Sequence, residues 1–337
     1  AATFAVFRED YQDGFGADGD HLKTMDEVRG ALDLGFSMIT LDCSEHIRSD
    51  GGKTELNEDL RRRYLDRTFM LEDGDSIVFT EDDLAKAQHI YGDAIGFAAQ
   101  VWERFFKSGA YKAELEISID ETATPTTPQQ HFFAASELKL AGVRMATLAP
   151  RFCGEFQKGI DYIGDVDQFD REMRVHAAIA RHFGYKISVH SGSDKFSVFP
   201  SIGRHTRGVF HVKTAGTNWL EAMRVCAEKN PVLYREAHAF ALKHFDEARA
   251  YYHVSANLNK IPDPGTLSDD ELPGLMDDNN ARQLIHITYG LILSDPRLHG
   301  NLFRLWDANA ELYADKLERH IARHMRLLGV PERVRAD

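Results

Sequence analysis

The chain has 337 residues, of which 43% are hydrophobic and 28% charged, enough to bury one barrel-sized core. Its formal charge of -13 at pH 7 opposes nucleic acid and anionic membrane surfaces as partners, since both demand basic surface, and leaves local basic residues to handle any acidic small molecule. Cys43, Cys153 and Cys226 are odd in number and widely spaced, which fits reduced thiols in a cytoplasmic protein better than a disulfide framework; no apolar run approaches the roughly 18 residues of a membrane span, and no signal sequence opens the chain.

The opening AATFAVF lacks a methionine and runs straight into a structured-looking segment, so residues that normally precede it are expected to be missing. A short first strand is expected near Phe15. Thr24 and Glu27 form a capping box, and Gly35 stops that helix before the strand FSMITLD, which ends at Asp42. Residues 81–107 hold helical patterns and lead into AELEISIDE, which carries Glu116, Asp120 and Glu121. Thr127 with Pro128 starts a helix that Gly142 ends, and VRMATLA follows as a strand. A helix from about Asp167 to His182 stops at Gly184 before KISVH, which reaches His190. VFHVKT brings His211 and Lys213, Thr217 opens another helix, and YYHVSAN brings His253. The acidic stretch from Asp263 to Asn280, with Pro264 and Pro273, reads as a mobile loop. Leu302 to Leu328 reads as one outer or homo-oligomer-forming helix. Seven β/α units result, one fewer than a closed barrel needs, so the expected fold class is α/β: a single TIM-type (β/α)8-like barrel domain over 1–337, its first strand lying upstream of Ala1.

A competing pattern is G-x-G-x-x-G at Gly14, Gly16 and Gly19, with a helix after it and Asp42 at the offset of a ribose-binding acid, as in a nicotinamide-dependent oxidoreductase. Against it, the glycines follow REDYQD rather than a hydrophobic strand. Asp18, Asp20 and His21 would also put negative charge and bulk where a pyrophosphate belongs.

The same segment, FGADGDHLKT, together with TLDCSEH, ISIDETATPTT, SVHSGSDKF and HVKTAGTNWLEA, resembles the tagaturonate epimerases, also called tagaturonate/fructuronate epimerases, from about Phe4 to the carboxyl terminus. The resemblance implies a metal-dependent barrel enzyme that inverts C4 of a 2-keto sugar acid. It also implies an amino-terminal portion, with a glycine-rich strand and a histidine, that this sequence lacks. An incomplete, catalytically silent sugar-binding module is therefore a further alternative.

The chemistry constrains the residues. A hydrogen on C4 is not adjacent to the carbonyl, so its removal gives no stabilised enolate. Retro-aldol cleavage of C3–C4 avoids the difficulty and calls for a divalent metal with acid/base groups; transient oxidation would need a nicotinamide instead. Glu116, His190 and His211 are the expected ligands, with His253 in reserve, because a buried strand carboxylate must be paired or metal-bound and function gathers where barrel strands end. One carboxylate with two imidazoles suits zinc, manganese, nickel or cobalt. Glu114 shares the parity of Glu116 and competes with it. Asp42 and Lys213 are expected to move protons, with Lys23 and His21 next. Lys195, Arg204 and Asp120 are expected to bind substrate, the two cations at its carboxylate, with Arg207 a further choice, while Arg144 lies at the wrong strand end.

Overall fold

The structure, a computed structural model, describes residues 2–12 and 14–331. The chain divides into two compact units, Ala1–Arg151 with Val175–Ile187, and Phe152–Arg174 with Ser188–Asp337.

The first unit begins with α1 (Ala2–Arg8), β1 (Asp18–Leu22), α2 (Met25–Asp33) and β2 (Met38–Asp42). It continues through α3 (Glu58–Tyr64), the strands β3 (Thr68–Met70) and β4 (Ser76–Val78), the long helix α4 (Glu81–Val101), β5 (Glu114–Ile119), α5 (Pro128–Leu140) and β6 (Thr147–Pro150). Helix α6 (Val166–Phe183) and strand β7 (Lys186–Val189) each carry residues of both units. In the second unit, α7 (Phe199–Thr206) and β8 (Phe210–Val212) precede helices only: α8 (Asn218–Lys229), α9 (Pro231–Arg249), α10 (Asn279–Ile287), α11 (Tyr289–Ser294), α12 (Pro296–Ala308) and α13 (Ala310–Leu327).

The expected helix signals work as chemistry dictates. Thr24 accepts from Glu27 N and the Glu27 carboxylate returns to the Thr24 backbone, and Thr127 and Gln130 repeat the device with Pro128 in the first turn. Gly35, Gly142 and Gly184 follow α2, α5 and α6 at φ of 82°, 81° and 83°, which a side chain would resist.

Six strands run in the order β1-β2-β5-β6-β7-β8. Five of the six positions in β5 are buried, the pattern of a strand covered on both faces of a parallel sheet. The fold is thus α/β with a six-stranded parallel sheet and many helices, and no closed barrel is present among the described residues. The expected seventh strand, YYHVSA, is not one: residues 252–257 form no ladder, and Tyr251 is exposed. Aromatic and β-branched residues raise strand propensity, but a strand forms only where a neighbour completes its hydrogen bonds. The antiparallel pair β3 and β4, with Phe69 opposite Ile77, lies in a stretch with no expected element and packs into a cluster with Tyr64, Phe79, Phe132 and Phe133.

Two further expectations are corrected. The stretch 263–280 is not a loose loop, because Leu272, Leu275 and Met276 lie on a 3₁₀ turn and enter the core of the second unit. Leu302 to Leu328 is two helices, not one, with the break at Asn309 between α12 and α13. No described helix is long and apolar enough to cross a membrane.

The glycine fingerprint also fails on geometry. Gly19 lies within β1, whereas a dinucleotide motif needs its glycines in the turn between a strand and a helix. A Cβ at Gly19 would meet Leu22 Cδ1 at 2.9 Å and Ala31 and Ile39 at 3.1 Å, so this glycine lets helix α2 and strand β2 approach.

Candidate active site

The end of β2 delivers Asp42, 1% exposed, and the end of β1 delivers His21, whose backbone is held at φ 54°. His21 Nδ1 lies 3.4 Å from Asp42 Oδ2, and Lys23 Nζ lies 3.4 Å from the same oxygen. The other oxygen of Asp42 accepts from Ser44 N at 2.8 Å. Burial alone would push the Asp42 carboxyl up, but His21, Ser44 and the Lys23 charge together hold it well below the usual carboxylate range. Lys23 also donates to Ser44 Oγ and lies 3.8 Å from Glu121 Oε2. Burial opposes its charge, yet Asp42 and Glu121 outweigh that and raise its pKa, so it stays protonated. Lys23 is therefore a fixed positive charge and a poor proton acceptor.

Glu116 is fully buried in β5, and the parallel register places Thr40 of β2 and Thr147 of β6 directly beside it. Thr40 Oγ1 lies 3.1 Å from Glu116 Oε1 and Thr147 donates to Oε2 at 2.5 Å; Thr40 also reaches Asp18 Oδ2 at 2.8 Å. Glu114, at the exposed start of the strand, is removed from contention. Asp120, just past β5, accepts from Ser118 Oγ at 2.6 Å.

The remaining expected residues belong to the second unit. His190, buried, follows β7, and His211 lies on β8 with Nδ1 3.0 Å from Ser188 Oγ. Lys213 follows β8, its backbone N–H donating to Val189 O. His253 is 83% exposed, outside any strand, and 3.4 Å from Glu155. Lys195 is fully buried, and its ammonium donates to the carbonyls of Gln157, Ile160 and Ser193, which uses all three hydrogens. Burial pushes it down to about 7 despite Asp194 and Asp161. Arg204 pairs with Asp170 on the same unit, and Arg144 is exposed.

Two groups of described residues could hold a metal ion, His21 with Asp42 and Glu121, and Asp194 with His320 and His324, the ligand atoms in each lying within 4.8 Å of one another. Neither fits an ion well. Lys23 already stands between Asp42 and Glu121, and Arg282 already pairs with Asp194. The Asp194 amide N–H also points at His324 Nε2, at 3.1 Å, where an ion would have to sit. His320 and His324 lie one turn apart on α13, and with Thr217 at 3.1 Å from Asp194 they lock the loop after β7 to the last helix. Sequence reasoning missed this lock, although the spacing in HIARH is the signal that exposes it.

Residues 1–328 match the family model described as tagaturonate epimerase. The chain belongs to the tagaturonate epimerase family. A tagaturonate/fructuronate epimerase of Thermotoga maritima is 46% identical over 338 residues, which cover 97% of this chain and 70% of that protein. Among solved structures, the native fructuronate-tagaturonate epimerase of Cohnella laeviribosi matches with a TM-score of 0.94 at 49% identity, and a glycerol complex of it with 0.93 at 50%; each match covers 97% of this chain and 71% of the other. The expectation of an isomerase of the epimerase type is met. The resemblance carried by FGADGDHLKT and TLDCSEH falls on the two segments that build the His21, Asp42 and Lys23 cluster of this tagaturonate epimerase family member.

Proposed function

We propose that the chain interconverts D-tagaturonate and D-fructuronate by inverting C4 through retro-aldol cleavage and re-addition, on a sheet that forms the greater part of a (β/α)8-like barrel. The relatives' names supply the reaction, and the His21–Asp42–Lys23 cluster is the observation that carries the chemistry. A buried carboxylate that holds Nδ1–H of an imidazole fixes the tautomer with a lone pair on Nε2, which in His21 lies 3.8 Å from Asp20 Oδ1. His21 is then the base for the C4 hydroxyl. As that proton leaves, C4 becomes an aldehyde, the C3–C4 bond breaks, and its electron pair passes to C3, C2 and the C2 carbonyl oxygen as an enediolate. Rotation of the aldehyde, bond formation on its other face and return of the proton complete the inversion with atoms and electrons in balance. The protonated Lys23 favours the negative charge that develops on oxygen.

Metal dependence belongs to the same reading. Glu116 suits a ligand, since it is buried and hydroxyls on either side orient both of its oxygens, as outer-shell groups orient metal-bound carboxylates. Zinc, manganese, nickel or cobalt held there would supply positive charge for the enediolate oxygens. His190 and His211 are the imidazoles to test in the second unit. The deciding experiment is conversion of D-tagaturonate to D-fructuronate by the purified chain, followed by NMR; a folded chain that leaves C4 untouched overturns the proposal.

A further inference from the structure

Besides the His21–Asp42–Lys23 cluster, the first unit holds a second imidazole backed by a carboxylate. The segment between β2 and α3 carries Asp50, Gly52 and Thr54, and α4 carries His89. His89 Nε2 lies 2.6 Å from Asp50 Oδ1, and His89 Nδ1 lies 3.2 Å from Thr54 Oγ1, so the ring joins a carboxylate to a hydroxyl. Backbone bonds hold both ends of this arrangement. Gly52 N donates to the same Asp50 oxygen at 3.0 Å, and Thr54 N donates at 3.3 Å to Ala85 O, on the turn of α4 before His89. At Gly52 the chain runs against the ring: a Cβ there would lie 2.6 Å from His89 Nε2, 2.8 Å from Cε1 and 3.1 Å from Asp50 Oδ1. A side chain at 52 would therefore drive the imidazole off its carboxylate.

The carboxylate sets the direction of the relay. The Gly52 N–H and then His89 hold the Asp50 carboxyl below its ordinary range, so it is ionised and accepts only. The proton of the neutral imidazole then stands on Nε2, with the lone pair on Nδ1. Thr54 O–H in turn donates to Nδ1, and its hydroxyl has no second partner among the described residues. The His89 side chain is largely buried while Thr54 is half-exposed, which leaves the hydroxyl open to a small molecule. A hydroxyl bonded to a base that a third group orients is the arrangement that makes an alcohol nucleophilic.

We propose that Asp50, His89 and Thr54 form an acyl-transfer site, in which Thr54 Oγ1 takes the acyl group of a small activated ester. His89 Nδ1 accepts the Thr54 proton as Oγ1 adds to the carbonyl carbon. The C–O bond to the leaving group then breaks with its electron pair, and the proton passes from Nδ1 to the leaving alkoxide. An acyl-threonine and an alcohol result, with no oxidant or further reactant. Asp50 keeps the ring in its tautomer and favours the imidazolium that exists between the two transfers. The site goes beyond the epimerase reading and is independent of it.

The probe is p-nitrophenyl acetate, added to the full chain, with p-nitrophenol release and peptide mass mapping as readouts. Thr54 is expected to gain an acetyl group faster than any other hydroxyl. Thr54→Val removes that adduct, and His89→Gln lowers its rate about 100- to 10,000-fold. Asp50→Asn lowers it at least about tenfold, since its amide can turn an N–H to Nε2 and move the ring proton to Nδ1. A thermal melt of each variant checks the fold, and Thr54→Ser, which keeps the hydroxyl, is expected to keep the acetylation. Acetyl groups on lysines alone, Thr54 acetylated no faster than other exposed hydroxyls, or a Thr54 rate unchanged in His89→Gln overturns the site.

Discussion

Replacing Asp42 by Asn separates the catalytic work of the carboxylate from its structural work. Asn keeps an oxygen for Ser44 N but loses the charge 3.4 Å from Lys23. That interaction, at a carboxylate 1% exposed, is worth about 1–3 kcal/mol, so the variant folds with a lower Tm. The catalytic effect is larger. An amide N–H turned toward His21 Nδ1 favours the tautomer with its proton on Nε2, and the base is lost; loss of a positioned proton-transfer group lowers kcat about 100- to 10,000-fold. The control is Glu121→Gln, whose side chain is 53% exposed and 3.8 Å from Lys23; such an exposed pair contributes about 0–1 kcal/mol, and kcat should hold within about threefold. The assay is initial-rate conversion of D-tagaturonate beside a thermal melt. A folded Asp42→Asn protein with wild-type kcat would refute the Asp42–His21 base.

Elemental analysis of Glu116→Gln and of His190→Ala should each show bound metal lost along with turnover, while circular dichroism reports a retained fold; a variant that keeps stoichiometric metal removes that residue from the ligand set. In deuterated water the product should carry no deuterium on C4, because the C–H bond there never breaks in a retro-aldol route, and deuterium at C4 by NMR would exclude it. His238, which burial pushes down to about 4 against the opposing charge of Asp263, should make the fold acid-sensitive. Its folded pKa lies below the ordinary value near 6.5, so its contribution is fully present above about pH 6.5 and is lost toward pH 4 at about 1.4 kcal/mol per pH unit. Chemical denaturation across that range should show the slope, and His238→Phe should flatten it.

Local signals in the sequence were legible because local chemistry enforces them. Thr24 with Glu27, Thr127 with Pro128, and the glycines after three helices act within one turn of chain, and they set α2, α5 and α6 where the structure has them. His21, Asp42 and Lys23 were likewise readable as reactive groups where β1 and β2 end. What escaped depended on partners far away in sequence. Lys195 looked like a ligand-facing cation, yet its ammonium finds three carbonyls from segments it could not have announced. YYHVSA has strand composition but pairs with no strand among the described residues. Glu116 stands out in the sequence as a carboxylate in a buried strand, but Thr40 and Thr147 become its neighbours only through the register of three strands.

The chain passes between its two units at Arg151, Arg174 and Ile187. During synthesis residues 1–151 therefore leave the ribosome before β7 and before Ala178 and Ile179, which complete the buried cluster around Phe132 and Phe133. His131, whose ring meets Tyr185 at 2.6 Å and His176 at 2.9 Å, has neither partner at that stage. The first unit thus cannot close before the segment 152–174, which belongs to the second, has itself emerged, and no single cut between genes or fragments would yield both units whole.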